Sequence, residues 1–97
     1  MKLIIQKRVE IALRSLGKVE QKQITHALAA LSLVKQEEFG RSAKIRRLHT
    51  SSGEKLYVYR GNLRLRLILS VHGGTIIVED VVDHDRLNRL PLNRMQP

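Results

Sequence analysis

The chain has no cysteine and no tryptophan, only three aromatic residues (Phe39, Tyr57 and Tyr59), two prolines, and half as many acidic as basic residues. Each scarcity excludes something. Without cysteine there is no disulfide framework and no thiolate metal site, and nothing indicates an oxidising compartment. With so few aromatics the core must be aliphatic, filled by Leu, Ile and Val. The opening MKLIIQKRVE returns to charge after too short an apolar run for a signal peptide, and no segment approaches a membrane span. A cytoplasmic location and no membrane partner are therefore expected. At 97 residues one core is expected and a second domain is not, so residues 1–97 read as a single domain.

What is abundant is positive charge, 18 Lys and Arg against nine acidic residues, for a formal +9. It is unevenly placed. Between Arg41 and Arg66 lie Arg41, Lys44, Arg46, Arg47, Lys55, Arg60, Arg64 and Arg66 against the single acid Glu54. Between Glu79 and Asp85 lie Glu79, Asp80, Asp83 and Asp85 with no Lys or Arg. The field is dipolar, and its basic middle suits a polyanion, RNA first; the plainer alternative is charge carried for solubility.

The apolar pattern places these charges on elements. Leu3 to Val9 reads as a strand. Val9, Ala12, Leu13 and Leu16 keep helical spacing up to Gly17, a stop signal. A second helix is expected from about Lys18 to Leu33, with Val19, Ile24, Ala27, Leu28 and Leu31 as its inward stripe. Lys35 to Ala43 reads as a connection and Lys44 to Leu48 as a short strand. Thr50 to Gly53 form a turn before Lys55 to Arg60, where Leu56 and Val58 alternate with Tyr57 and Tyr59. After the Gly61–Asn62 reversal, Leu63, Leu65, Leu67 and Leu69 alternate with Arg64, Arg66, Ile68 and Ser70, which puts Arg64 and Arg66 on one strand face. His72, Gly73 and Gly74 turn the chain into Thr75 to Val82, a nearly continuous apolar run expected to be a central strand. Asp83 to Arg89 leaves the sheet, and Pro91 discourages a long final helix. The expected fold is α+β: an N-terminal strand and an αα-hairpin packed on a mostly antiparallel sheet of three to four strands.

This order of elements, with the strings KIRRL at Lys44 to Leu48, LYVYRGNLRLRLILS at Leu56 to Ser70 and IIVEDVVDHDRL at Ile76 to Leu87, resembles the RelE/ParE superfamily of bacterial type II toxins over nearly the whole chain. The resemblance implies a toxin that inhibits translation by metal-independent mRNA cleavage at the ribosome and is held inactive by a small antitoxin. ParE-like inhibition of DNA gyrase, or nucleic-acid binding without catalysis, are the alternatives. It implies further that Lys44, Arg46 and Arg47 approach the RNA backbone, with His49, Arg60, Arg66 and Arg86 as further RNA-binding residues. Arg64 stands where the family places the arginine on the scissile phosphate, and His84 and Asp85 fall near its terminal catalytic segment. Asp85 stands where an arginine is common, and Leu90 or Pro91 near where a tyrosine often stands.

Such cleavage needs a group to take the proton of the RNA 2′-hydroxyl, another to donate to the leaving oxygen, and guanidinium groups to hold the charge that develops on phosphorus. Arginine suits the last role because its planar fork meets two phosphate oxygens and stays charged. Each candidate has a plainer reading. Arg64 could instead pair with the acidic Glu79 to Asp85 segment, and His84 could sit at a strand exit where Asp83 or Asp85 bonds backbone amides. Tyr57 and Tyr59 could stack on a base or simply pack across strands. No metal-ligand spacing, glycine-rich phosphate loop or Ser-His-Asp arrangement occurs, so neither a metal nor a cofactor is expected.

Overall fold

A computed structural model describes residues 1–87. Within them the chain runs β1 (Lys2–Ile5), α1 (Lys7–Arg14), α2 (Lys18–Ser32), a 3₁₀ turn (Gln36–Arg41), β2 (Ile45–Leu48), β3 (Leu56–Arg60), β4 (Leu65–His72), β5 (Thr75–Asp83) and a single-turn α3 (His84–Leu87). Among the described residues the strands form one five-stranded sheet in the order β1-β5-β4-β3-β2, so the N-terminal strand joins the sheet and raises the expected strand count. β1 runs parallel to β5, Lys2 opposite Thr75 through Ile5 opposite Val78, while every other pair is antiparallel. The αα-hairpin carries the chain from β1 at one edge of the sheet toward β2 at the other. Of the expected exit from Asp83 to Arg89, Asp83 still belongs to β5, and Arg89, with Leu90 and Pro91, lies outside the described residues.

The first strand is shorter than expected, ending at Ile5 rather than Val9. Gln6 donates its N–H to Val78 O (3.1 Å) as the last rung of the ladder, and its carbonyl then receives Glu10 N–H (3.1 Å) as the first bond of α1. Val9 thereby falls on the inward side of α1 and is fully buried. Gln21 of α2 donates from Nε2 to the carbonyls of Leu13 and Arg14 (3.2 and 3.0 Å), satisfying backbone groups that the end of α1 would leave open. In α2 the buried stripe is Ile24, Ala27, Leu28 and Leu31. Val19, expected in that stripe, is 72% exposed. It stands five residues before Ile24, a rotation of about 140° from it, which turns it off the sheet.

Sheet parity divides the side chains. Toward the helices face Ile45, Tyr59, Leu65, Leu67, Leu69, Ile76 and Val78, packed with Val9, Ile24 and Leu31 into the main core. On the opposite face Leu48, Leu56, Val58, Ile68 and Val82 form a smaller cluster closed by Leu87 of α3. As expected, β5 lies inside the sheet with apolar residues on both faces. A bulge permits this: Ile68 pairs with Asp80 and Leu69 with Val78, leaving Glu79 as the extra residue. Its carboxylate accepts from buried Ser70 Oγ (2.6 Å) and Gln6 Nε2 (3.4 Å), and Arg8 Nε donates to its carbonyl (2.9 Å).

The two tyrosines belong to the core. Tyr59 is buried, its hydroxyl donates to Ala27 O (3.3 Å), and burial raises its pKa above the ordinary phenol value. Tyr57 meets Phe39 of the 3₁₀ turn edge to face, with centroids 4.9 Å apart. Cross-strand and core packing, not base stacking, accounts for both.

Candidate nucleic-acid interface

The face of the sheet turned away from α1 and α2 carries the cations that converge. Arg46 lies opposite Val58 in β3, and Arg60 lies opposite Arg66 in β4, so all three share the parity of the smaller cluster. Arg46 and Arg60 are exposed and Arg66 is partly buried. Loss of water around Arg66 lowers its pKa from the ordinary guanidinium value, and repulsion from Arg60 and then Arg46 adds to the shift. Three like charges held this close are unfavourable by themselves and favourable toward an anion. Arg66 is also positioned: its Nη1 donates to the carbonyls of Asn62 (2.8 Å), Leu65 (3.1 Å) and, more weakly, Leu63 (3.4 Å). Among the described residues Nε and Nη2 make no side-chain hydrogen bond and can meet a phosphate.

Arg64 does not belong to this group. The strand was expected to begin at Leu63, with Arg64 and Arg66 on one face, but β4 begins at Leu65. The reason is Asn62, whose side-chain oxygen accepts the N–H groups of both Arg64 (3.0 Å) and Leu65 (2.7 Å) and curls the chain into an Asx turn. The backbone before Leu65 therefore leaves strand parity. Leu63 is 80% exposed. Arg64 reaches across to Glu20 of α2 through Nη2 (2.6 Å) and Nε (3.0 Å), and to Asp83 through Nη1 (3.2 Å). The Arg64 hydrogen bond, followed by one from Asn62, holds the Glu20 carboxyl below its ordinary value. Hydrogen bonding to Glu20 in turn raises Arg64. The plainer reading of Arg64, a partner of the acidic segment, fits its bond to Asp83, while its shorter bonds go to Glu20, outside that segment.

His84 and Asp85 open α3. Asp83 caps that helix, its Oδ1 accepting Asp85 N–H (2.9 Å), and this bond, ahead of the one from Arg64, holds the Asp83 carboxyl down. His84 donates its backbone N–H to Arg64 O (2.7 Å), and its Nδ1 is buried with no hydrogen-bond partner among the described residues. Asp85 and Arg86 are exposed. Of the other expected contacts, Arg47 lies opposite Tyr57 and so on the helix side, Lys44 stands just before β2, and His49 just after it, all exposed. The structure thus joins Arg46, Arg60 and Arg66, and separates Arg64 and Arg47 from them. Glu20 and Asn62 were missed by sequence reasoning; the Gly61–Asn62 reversal was the one signal that pointed at Asn62. Among the described residues no group of three His, Asp or Glu side chains is placed to hold a metal ion. No helix there is long and apolar enough to cross a membrane.

A solved structure with the same architecture is the archaeal RelE–RelB complex from Pyrococcus horikoshii OT3, which superposes with a TM-score of 0.66 over 88% of this chain and 96% of that chain at 23% identity. The fold is RelE-like. No protein-family model matches the sequence, and no curated protein matches it. The RelE-like sheet, with its helical hairpin on one face and its arginines on the other, confirms the α+β expectation and extends the sheet by one parallel strand.

Proposed function

We propose that this protein is the toxin of a type II toxin–antitoxin pair, acting in the cytoplasm on RNA at the ribosome by metal-independent cleavage. The observation that carries the reading is the cluster of Arg46, Arg60 and Arg66 on the open face of a RelE-like sheet. Arg66, anchored by three carbonyls and flanked by two further guanidiniums, is the residue best placed to hold a scissile phosphate. This role moves from Arg64, whose guanidinium is already bonded to two carboxylates. His84 is the candidate for proton transfer, through Nε2, since its Nδ1 is buried. The archaeal RelE with this fold was solved bound to RelB, which supports a protein antitoxin as the resting partner.

The test is to supply the purified chain, and an Arg66→Ala variant, to translating ribosomes and map mRNA ends. Cuts made by the parent and reduced at least tenfold in the variant are expected. Intact mRNA with both would remove the nuclease. Inhibition of DNA gyrase by a ParE-like toxin is the second reading, favoured by the commitment of Arg64 to Glu20 and Asp83. Blocked supercoiling with intact mRNA would select it.

A further inference from the structure

Arg64 and Arg66 stand two residues apart and are held in opposite ways. Arg64 is bonded to the carboxylates of Glu20 and Asp83, which offset its charge, whereas Arg66 Nη1 is bonded to backbone carbonyls, which fix its position and leave its charge whole. The difference matters for Arg66, because repulsion from Arg60 and Arg46 drives its long side chain out of the cluster unless something holds it. The β3–β4 loop is what holds it. Its two shorter bonds go to Asn62 O (2.8 Å) and Leu65 O (3.1 Å). Leu65 O also accepts the N–H groups of Gly61 (3.0 Å) and Asn62 (3.3 Å), so the loop closes on an oxygen that Arg66 uses.

One side chain gives the loop this form. Asn62 Oδ1 accepts the N–H groups of Arg64 (3.0 Å) and Leu65 (2.7 Å), while Nδ2 donates to Gln23 Oε1 (2.9 Å) and Glu20 Oε2 (3.2 Å) of α2. Both lone pairs of the oxygen and both hydrogens of the nitrogen are thus engaged. Backbone N–H groups can only donate and a carboxylate can only accept, so the amide has one workable orientation. Aspartate would keep the turn but set its second oxygen against the Glu20 carboxylate, and serine would lose the bonds to α2. Gly61 brings the amide within reach of α2, since a Cβ there would stand 2.6 Å from Ile24 Cδ1.

We propose that Asn62 is a positioning residue for phosphate binding by Arg66: its side-chain oxygen shapes the loop, its nitrogen pins the loop to α2, and its own carbonyl then holds the guanidinium beside Arg60 and Arg46. Asn62 acts through Arg66 and meets no phosphate itself. The proposal rests on the reading of Arg66 as the phosphate-holding residue, and the experiment separates the two.

The experiment follows the salt dependence with which the full chain binds a single-stranded 2′-deoxy oligonucleotide, an observable that counts phosphate contacts. A neutral residue that only supports the fold lowers the melting temperature and leaves this slope alone. Arg66→Ala should lower the log–log slope by roughly 0.7, the value of one contact on a single strand. Asn62→Ala removes no charge, yet it should reproduce most of that fall, and the double variant should fall no further than Arg66→Ala. Should Asn62→Ala fail to fold, Gln23→Ala decides: it cuts one bond to the amide from an exposed position on α2 and should lower the slope by less. On translating ribosomes Asn62→Ala should lower kcat with KM unchanged, as loss of a group that holds the transition state does. A lowered slope in Arg66→Ala beside parental slopes in Asn62→Ala and Gln23→Ala would overturn the proposal alone, as would a double variant in which the two falls add. An unchanged slope in Arg66→Ala would overturn the reading of Arg66 and the proposal with it. The expected slopes without mRNA cleavage by the parent would overturn the nuclease and leave Asn62 in its role.

Discussion

The two faces of the sheet are written in the same strands and obey opposite rules. On the helix side Leu65, Leu67 and Leu69 of β4 meet Ile76 and Val78 of β5, and four of these five residues are fully buried. On the other side the same strand contributes Arg66 and Ile68, beside Arg60 and Arg46 from its neighbours. Burying apolar area makes the first face stable, whereas the second concentrates like charge and so opposes stability locally. The fold rests on one face and keeps the other for an anion. The small cluster of Leu48, Leu56, Val58, Ile68, Val82 and Leu87 keeps the charged face rigid without covering its arginines.

The largest expected effect tests the supporting face. Leu67→Ala, at a position with no exposed surface, should cost about 2–5 kcal/mol in urea unfolding, because a packed site relaxes only partly around a missing side chain. Ile68→Ala, one residue along but under the single-turn α3, should cost less. Equal costs would mean that the open face carries as much of the core as the helix face.

Next comes the seam between the faces. A Cβ on Gly61 would stand 2.6 Å from Ile24 Cδ1, so the loop approaches α2 as closely as it does only because this residue is glycine. Gly61→Ala should cost about 1–3 kcal/mol by forcing Ile24 aside. Asn62 would shift with it, and hence the carbonyls that position Arg66. Reduced oligonucleotide affinity together with reduced stability is the expected pair of results, and a loss of stability alone would uncouple the loop from the arginine cluster.

On the charged face, removal of Arg46, Arg60 and Arg66 together should flatten the salt dependence of single-strand binding by about 2 in slope, from roughly 0.7 for each phosphate contact. Thermal stability should hold or rise, since the repulsion among the three is lost. A variant that loses stability and keeps its slope would reverse the division between the faces.

Much of this division was legible beforehand. The leucine alternation of Leu65 to Leu69 announced a strand with one buried face, and Gly17 and Gly61–Asn62 announced the turns, because these are local signals. What escaped depends on partners distant in sequence. Val19 and Leu63 look like core residues from their neighbours, but Val19 is turned about 140° from Ile24 around α2 and Leu63 falls in the Asx turn of Asn62, before β4 begins. The Glu79 bulge is invisible in β5 alone, since a two-against-one count needs the opposing strand. Glu20 lies 44 residues from Arg64, too far for any spacing rule to join them. Among the candidate site residues, Arg46, Arg60 and Arg66 were legible as cations on adjacent strands, whereas the place of Arg64 was decided by a side-chain turn at Asn62.

Arg64 supplies the smallest effect and the sharpest test of where the boundary between the faces lies. It joins α2, the β3–β4 loop and the cap of α3 through Glu20 and Asp83, so Arg64→Ala should lower the melting temperature modestly at neutral pH. The sign with pH follows from the two carboxyls. Both are held below their unfolded values, so their contribution is present above the ordinary carboxylate range, about pH 4, and is lost as pH falls through the lower folded values. The gap in melting temperature between parent and variant should therefore be widest near neutrality and close on acidification below about pH 4. Arg64→Gln should open the same gap, because it keeps length but not charge. Neither variant should alter the salt slope of oligonucleotide binding, because a guanidinium bonded to two carboxylates brings no net positive charge to a phosphate. A slope reduced as much as in Arg66→Ala would place Arg64 on the nucleic acid and move the boundary between the supporting and the binding face to the far side of the β3–β4 loop.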